Sequence, residues 1–378
     1  MKALIIFGTR PEAIKLVPVI KALERYKEEI KVSICLTSQH KQMIESILEL
    51  FSIQINYNLN LMKKNQSLFD IAAKGLRSIE KILIKEIPDY VIVQGDTSTA
   101  FIAALSAYYM KINIAHVEAG LRTKNKYSPF PEEINRKFID HLSDLCFAPT
   151  ELAAKNLIEE NIPPDKIHIT GNTVVDALLM VIKLIRDKEH EMKKELNKKY
   201  GICLDDRKLI IVTTHRRESF GADLNNICLA IKKLALNRND IRIIFPVHLN
   251  PNVFYAVHNI LGGIDNICLV KPLDYLSFIW LMSNCYFILT DSGGIQEEAP
   301  TLGKPVLVVR KASERSEGIE LGVSKLVGVS SESIYAEAIK LIDDYECYKS
   351  MVSNSINPYG DGKAAERIVD ILRGIKGL

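Results

Sequence analysis

The sequence predicts an α/β protein made of two Rossmann-like domains, each built on a parallel sheet and facing the other across a cleft. Three observations carry this. Short apolar, β-branched runs alternate with helical patterns almost from end to end, as strands buried on both faces do when helices lie between them. Eleven such runs in 378 residues are many for one sheet, and the chain is long for one core. The series is also broken near 171–200, where a helical segment ends in alternating charges, as a solvated helix and connector would.

The runs, in order, are Ala3–Phe7, Val32–Leu36, Tyr90–Val93, Ile112–Ala115, Leu145–Ala148 and Ile167–Thr170. After the break come Leu209–Thr213, Ile241–Pro246, Ile267–Val270, Tyr286–Leu289 and Val306–Val309. Composition excludes several classes of function. Hydrophobic residues are 47%, charged residues 25% and net charge +3 with mixed signs, so no nucleic-acid stripe is implied. No apolar run approaches a membrane span, and MKALIIFGTR is too short for a signal-peptide core and reads as a first strand. Seven cysteines show no CxxC pair and no ligand spacing. Cys35, Cys203, Cys268 and Cys285 lie in or beside strand-like runs and are expected as buried thiols in a reducing cytoplasm.

The chemistry-bearing residues gather where strands end, the edge at which open α/β sheets bind ligands. At the first such end, Gly8 and Thr9 leave the strand, Pro11 suits a first helical position, and Arg10 and Lys15 place cations near a helix start. There is no GxGxxG, so a tightly bound dinucleotide is not expected. Asp96 follows YVIVQG, Glu118 follows INIAHV, and Glu132 opens EEINRKFIDH. Each acid has a plainer alternative: Asp96 and Glu118 a turn or cap, and Glu132 with Arg136 and Asp140 a surface ion ladder. Their concentration with His116 at neighbouring ends favours proton transfer, because clustered carboxylates raise one another's proton affinity.

In the second half, His215 and Arg216 follow a strand, as a proton-transfer group, a phosphate ligand or a plain loop. His248 sits in FPVHLNPNV. In KPLDYLSFIWLM, Trp280 is expected in the core and Phe278 as a flat wall for a base. The stretch ILTDSGGIQEEAPTLGKPVLVVR is a strand–turn–helix–strand unit. Ser292 precedes Gly293 and Gly294, which let backbone N–H groups approach an anion, and Glu298 lies one turn in, placed to accept from paired ribose hydroxyls. By itself this turn reads more readily as an ordinary strand–helix connection, and only the rest of the chain tips it toward a ligand. Arg315 lies in the following loop.

Taken together, GTRPEAIKLVPVI, VQGDTSTA, HVEAGLRT, PFPEEINR, GNTVVDAL, HRRESFG, PVHLNP, DSGGIQEEAPTLGKPVL and NPYGDGKAAERI stand in the order in which they occur in the non-hydrolysing UDP-N-acetylglucosamine 2-epimerases, which the chain resembles over nearly its whole length. The resemblance implies a glycosyltransferase-B-like fold. Its domains would be 1–171, with a last helix over 365–378 packing back on it, and 172–364. It implies conversion of UDP-GlcNAc to UDP-ManNAc for surface polysaccharide synthesis, by a homodimer needing no metal and no redox cofactor. The family's catalytic positions fall on Asp96, Glu118, Glu132 and His215. Its nucleotide and substrate contacts fall on Arg10, Lys15, His215, Phe278, Ser292, Gly293, Gly294, Glu298 and Arg315. A regulatory UDP-GlcNAc site of bacterial members matches at Gln39, Gln42, Arg216 and His248. Two departures stand out: Ser316 replaces the proline of the family's ERPE, and Lys74 replaces an arginine of the regulatory site.

Overall fold

The computed structural model describes residues 1–37, 41–61, 66–186, 188–214, 220–313, 315–353 and 357–374, with the side chains of 41–43 and 353 outside the description. The chain divides into two units, Met1–Ala177 with Tyr359–Leu378, and Leu178–Pro358. The division falls inside the helix Thr173–Ile185. The charged connector anticipated as the tail of that helix is a separate helix, Glu189–Tyr200.

Unit 1 holds a seven-stranded sheet of β1 (Lys2–Phe7), β2 (Lys31–Leu36), β3 (Tyr57–Asn58), β4 (Tyr90–Gln94), β5 (Asn113–Val117), β6 (Leu145–Ala148) and β7 (Ile167–Ile169). Their order is 3-2-1-4-5-6-7, with every neighbouring pair parallel. Unit 2 holds β8 (Lys208–Thr213), β9 (Ile241–Pro246), β10 (Ile267–Val270), β11 (Phe287–Thr290), β12 (Val306–Val308) and β13 (Ser324–Leu326), ordered 10-9-8-11-12-13 and again parallel. Both sheets have the doubly wound order, so each has a switch point: between β1 and β4 in unit 1, and between β8 and β11 in unit 2.

The strands are buried on both faces. Ala3–Phe7 and Phe287–Thr290 are wholly buried, which is why they read as unbroken apolar runs. The helix Arg10–Glu24 starts one residue before the position read from Pro11. Thr9 caps it: the Glu12 N–H donates to Thr9 Oγ1 at 3.4 Å, and the Thr9 N–H donates to the Glu12 carboxylate at 2.7 Å. The last helix, Ala364–Gly374, packs on this first helix, with Arg25–Glu366 at 3.1 Å and Arg373–Glu29 at 3.0 Å along the seam. Two strands escaped sequence analysis, Tyr57–Asn58 and Ser324–Leu326. The cysteine expectation needs one correction. Cys35 and Cys285 are buried and Cys268 is half-buried, but Cys203 is exposed, because its strand-like neighbours form a loop before β8. No described helix is long and apolar enough to cross a membrane.

Candidate active site

In unit 1 the turns after β1, β4 and β5 converge at the switch point. The chain leaves β1 so tightly that a side chain at Gly8 would meet Thr37 Oγ1 at 2.2 Å and Thr99 Oγ1 at 2.8 Å. Glu12, fully buried, knits two of the turns together. It accepts from the N–H of Gly8 (3.1 Å) and Thr9 (2.7 Å) and from the Thr97 hydroxyl (2.7 Å). Burial pushes its carboxyl above the usual range, and these bonds pull it back. Arg10, half-buried, is the first residue of the helix, and Lys15 lies buried one turn further on.

Glu118, at the end of β5, takes the left-handed conformation with φ +69°, which costs a non-glycine residue about 1–3 kcal/mol. Its backbone N–H donates to Phe147 O at 3.1 Å. Its buried carboxylate is gripped by Lys15 Nζ, by Gln94 Nε2 and, at 3.0 Å, by Asn172 Nδ2. Asp96, partly exposed, pairs through its carboxylate with Arg136, while its carbonyl accepts from Asn135 Nδ2 at 3.0 Å. Both partners lie on the helix Glu132–Leu142, whose first residue, half-buried, is Glu132. That helix also buries Asp140 against His116, with Nδ1 to Oδ1 at 2.6 Å. The surface ladder weighed for Glu132, Arg136 and Asp140 is therefore corrected: Arg136 and Asp140 are buried because their face meets the β4 and β5 turns.

In unit 2, the hydroxyls of Thr213 and Thr290 meet across β8 and β11 at 2.6 Å, and Thr290 Oγ1 accepts from the Ser292 N–H at 2.9 Å. Ser292 precedes the six-residue helix Gly293–Glu298 and makes no side-chain capping bond to it. A side chain on Gly293 would lie 2.9 Å from Arg315 Cζ, so the glycine is what lets the guanidinium pack there. Arg315 is buried and donates from Nε and Nη2 to Glu297 Oε1 at 3.0 and 2.8 Å. Its own N–H donates to Ser313 Oγ, which donates to Gln296 Oε1 at 2.8 Å. Those bonds tie the loop to the helix where the family's proline is missing. Gly294 is half-buried, and Glu298 is buried, accepting from the Tyr275 hydroxyl at 2.8 Å. Phe278 is half-buried and Trp280 lies in the core, on the helix Tyr275–Asn284. His248 is exposed, its Nδ1 accepting from the Asn250 N–H at 3.1 Å. Gln39, His215 and Arg216 lie outside the described residues, as does the side chain of Gln42. No cluster of metal-ligating side chains occurs among the described residues.

Sequence analysis missed Gln94, Asn135, Asn172, Tyr275 and Glu297 as partners of the singled-out groups. A polar residue ending a buried strand was the available signal for Gln94, which is 3% exposed.

The UDP-N-acetylglucosamine 2-epimerase family model matches residues 21–373. A Campylobacter jejuni UDP-N-acetylglucosamine 2-epimerase is 51% identical, covering 100% of this chain and 98% of its own length. A Neisseria meningitidis UDP-GlcNAc 2-epimerase solved with UDP-GlcNAc superposes with a TM-score of 0.94 at 45% identity, covering 99% of this chain and 100% of its own. A Methanocaldococcus jannaschii UDP-GlcNAc 2-epimerase solved with UDP-GlcNAc and UDP gives 0.85 at 38% identity, over 99% of each chain. The fold is thus glycosyltransferase-B-like, two doubly wound units with polar groups at each switch point, and the chain is a nucleotide-sugar isomerase. It belongs to the UDP-N-acetylglucosamine 2-epimerase family.

Proposed function

We propose that the chain interconverts UDP-GlcNAc and UDP-ManNAc without releasing free sugar, by elimination and re-addition of UDP. The carbon 2 proton of the sugar is not acidic, since no ketone adjoins it. In elimination the bond from carbon 1 to the diphosphate oxygen breaks and UDP keeps the electron pair. A base takes the carbon 2 proton, and a carbon 1–carbon 2 double bond forms, giving 2-acetamidoglucal. The reverse step delivers a proton to the opposite face of carbon 2 while UDP returns to carbon 1.

The observation that carries this is the pair of oriented carboxylates on unit 1, Asp96 and Glu118, each held against a cation at a strand end. Oriented acids at adjoining strand ends are suited to taking a proton and giving one back. Glu132 joins them at the start of its helix, and base and acid are not divided among the three. Arg10 and Lys15 favour negative charge beside them. On unit 2, Ser292, Gly293, Gly294, Arg315 and His215 hold the diphosphate and stabilise charge on it as it leaves. Phe278 lies against the base, and Glu298 accepts from the ribose hydroxyls. Gln39, Gln42, Arg216 and His248 form a regulatory UDP-GlcNAc site. The working enzyme is a cytoplasmic homodimer supplying surface polysaccharide precursors.

Turnover in D2O, followed by proton NMR with purified protein and UDP-GlcNAc alone, tests the mechanism. Deuterium should enter carbon 2 of both sugars. Product without deuterium there would sink elimination, and a requirement for an acceptor would favour a glycosyltransferase on the same fold.

A further inference from the structure

A buried histidine lies beneath Asp96, and the proposed chemistry leaves it unexplained. His116, in β5, is fully buried. Its Nε2 is 2.7 Å from the carbonyl oxygen of Gly95, and its Nδ1 is 2.6 Å from Asp140 Oδ1. A carbonyl oxygen has no hydrogen to give, so Nε2 carries one. Asp140 also accepts through its other oxygen, from Arg122 Nη2 at 2.7 Å and from the Gly120 N–H at 3.3 Å. A carboxyl paired with an arginine in this way is ionised and has no hydrogen for Nδ1. Both ring nitrogens therefore donate.

What the ring grips is the peptide leading into Asp96. Gly95 has φ +71° and no side chain to hold its peptide plane, so the plane must be fixed from outside. His116 takes the Gly95 carbonyl, Asn135 takes the Asp96 carbonyl at 3.0 Å, and Arg136 takes the Asp96 carboxylate. Asn135, Arg136 and Asp140 all belong to the helix Glu132–Leu142.

We propose that His116 is a positioning residue, an imidazolium clamped by Asp140 that fixes the Gly95–Asp96 peptide and so aims the Asp96 carboxylate. Its kinetic consequence rests on the acid–base function proposed for Asp96; its protonation and the clamp do not.

Two measurements on the full chain test this. Protein carrying 15N-histidine is examined by NMR at mildly alkaline pH, where an unclamped imidazole has one N–H. One of the eight histidines should show hydrogens on both nitrogens, and should vanish in His116→Asn. Eight rings with a single N–H would overturn the clamp. In kinetics, His116→Ala should lower kcat about 100-fold, as a displacement of about 1 Å can do. KM for UDP-GlcNAc and the affinity for UDP should stay within about threefold, since no group gripping the nucleotide has been touched. A kcat near that of the parent, or a loss seen only in KM, would overturn the positioning role. If the variant does not fold, shown by loss of the parent's far-UV circular dichroism melt, the NMR result on the parent decides. Asp96→Asn separates the two ideas. Full activity there removes Asp96 from proton transfer and takes the kinetic role of His116 with it, while the doubly protonated ring still stands or falls by NMR.

Discussion

Lys15→Met should destabilise unit 1 far more than the loss of an ordinary ion pair. Lys15 and Glu118 have side chains only 9% and 7% exposed. Removing one partner of such a pair leaves the other charge buried and costs about 3–5 kcal/mol. Gln94 and Asn172 still donate to Glu118 after the change, which keeps the cost near the low end, about 3 kcal/mol. In a unit of roughly 200 residues that is a fall in Tm of about 6–12 °C. A built-in control is Lys193–Glu189, whose side chains are 53% and 67% exposed; Lys193→Met should leave Tm within the scatter of ordinary surface substitutions. The decisive comparison is Lys15→Met with Glu118→Gln. Neither charge survives in the double variant, so its cost should fall short of the sum of the two singles by about 2 kcal/mol. Far-UV circular dichroism is the proper probe, because the one tryptophan, Trp280, lies in unit 2. Additive costs, or a Lys15→Met penalty no larger than that of Lys193→Met, would refute the argument that burial makes this pair indivisible.

Three further outcomes are expected. Burial pushes Asp176 from 3.8 up to about 6, although it accepts from the N–H groups of Ala364 and Ala365. The folded state then holds this proton more tightly than the unfolded one, so stability from this group is highest below pH ~4 and declines by roughly 3 kcal/mol as pH rises through about 6. Melts across that window should lose this slope in Asp176→Asn, and an unchanged slope would assign it to other groups. Gly293→Ala places a carbon 2.9 Å from Arg315 Cζ. Displacing that buried guanidinium should weaken UDP binding about 10–100-fold by calorimetry, and an unchanged affinity would remove Arg315 from the nucleotide site. Tyr275→Phe takes away the hydroxyl donating to Glu298. It should cost about 1–2 kcal/mol of UDP affinity, whereas a loss confined to fold stability would leave Glu298 with a packing role only.

The strands were legible because burial on both faces leaves an unbroken apolar run, as in Ala3–Phe7. Tyr57–Asn58 and Ser324–Leu326 were not, being two and three residues long with polar or exposed members at sheet edges. Asp96 and Glu118 were legible as acids ending buried strands. Their partners were not: Lys15 lies 103 positions from Glu118 and Arg136 lies 40 from Asp96, separations over which local pattern carries no information. Spacing also misjudged the face shared by Arg136 and Asp140. A period of four says which residues lie together on a helix, not whether that face meets water or another element.

That face decides how one of the acids of unit 1 is held. Glu118 is fixed by Lys15 from the first helix, by Gln94 at the end of β4, and by Asn172 just before the helix Thr173–Ile185. Asp96 is fixed by the helix that begins with Glu132. The two sets of donors share no residue, yet they meet in one tripeptide. Gln94 gives its amide to Glu118, Gly95 gives its carbonyl to His116, and Asp96 gives its carboxylate to Arg136. A change that moved this turn would therefore disturb both carboxylates at once, although it touched neither. The tight, polar run Gln94-Gly95-Asp96 thus supplies one of the acids itself and, through Gln94, keeps the other in the same frame.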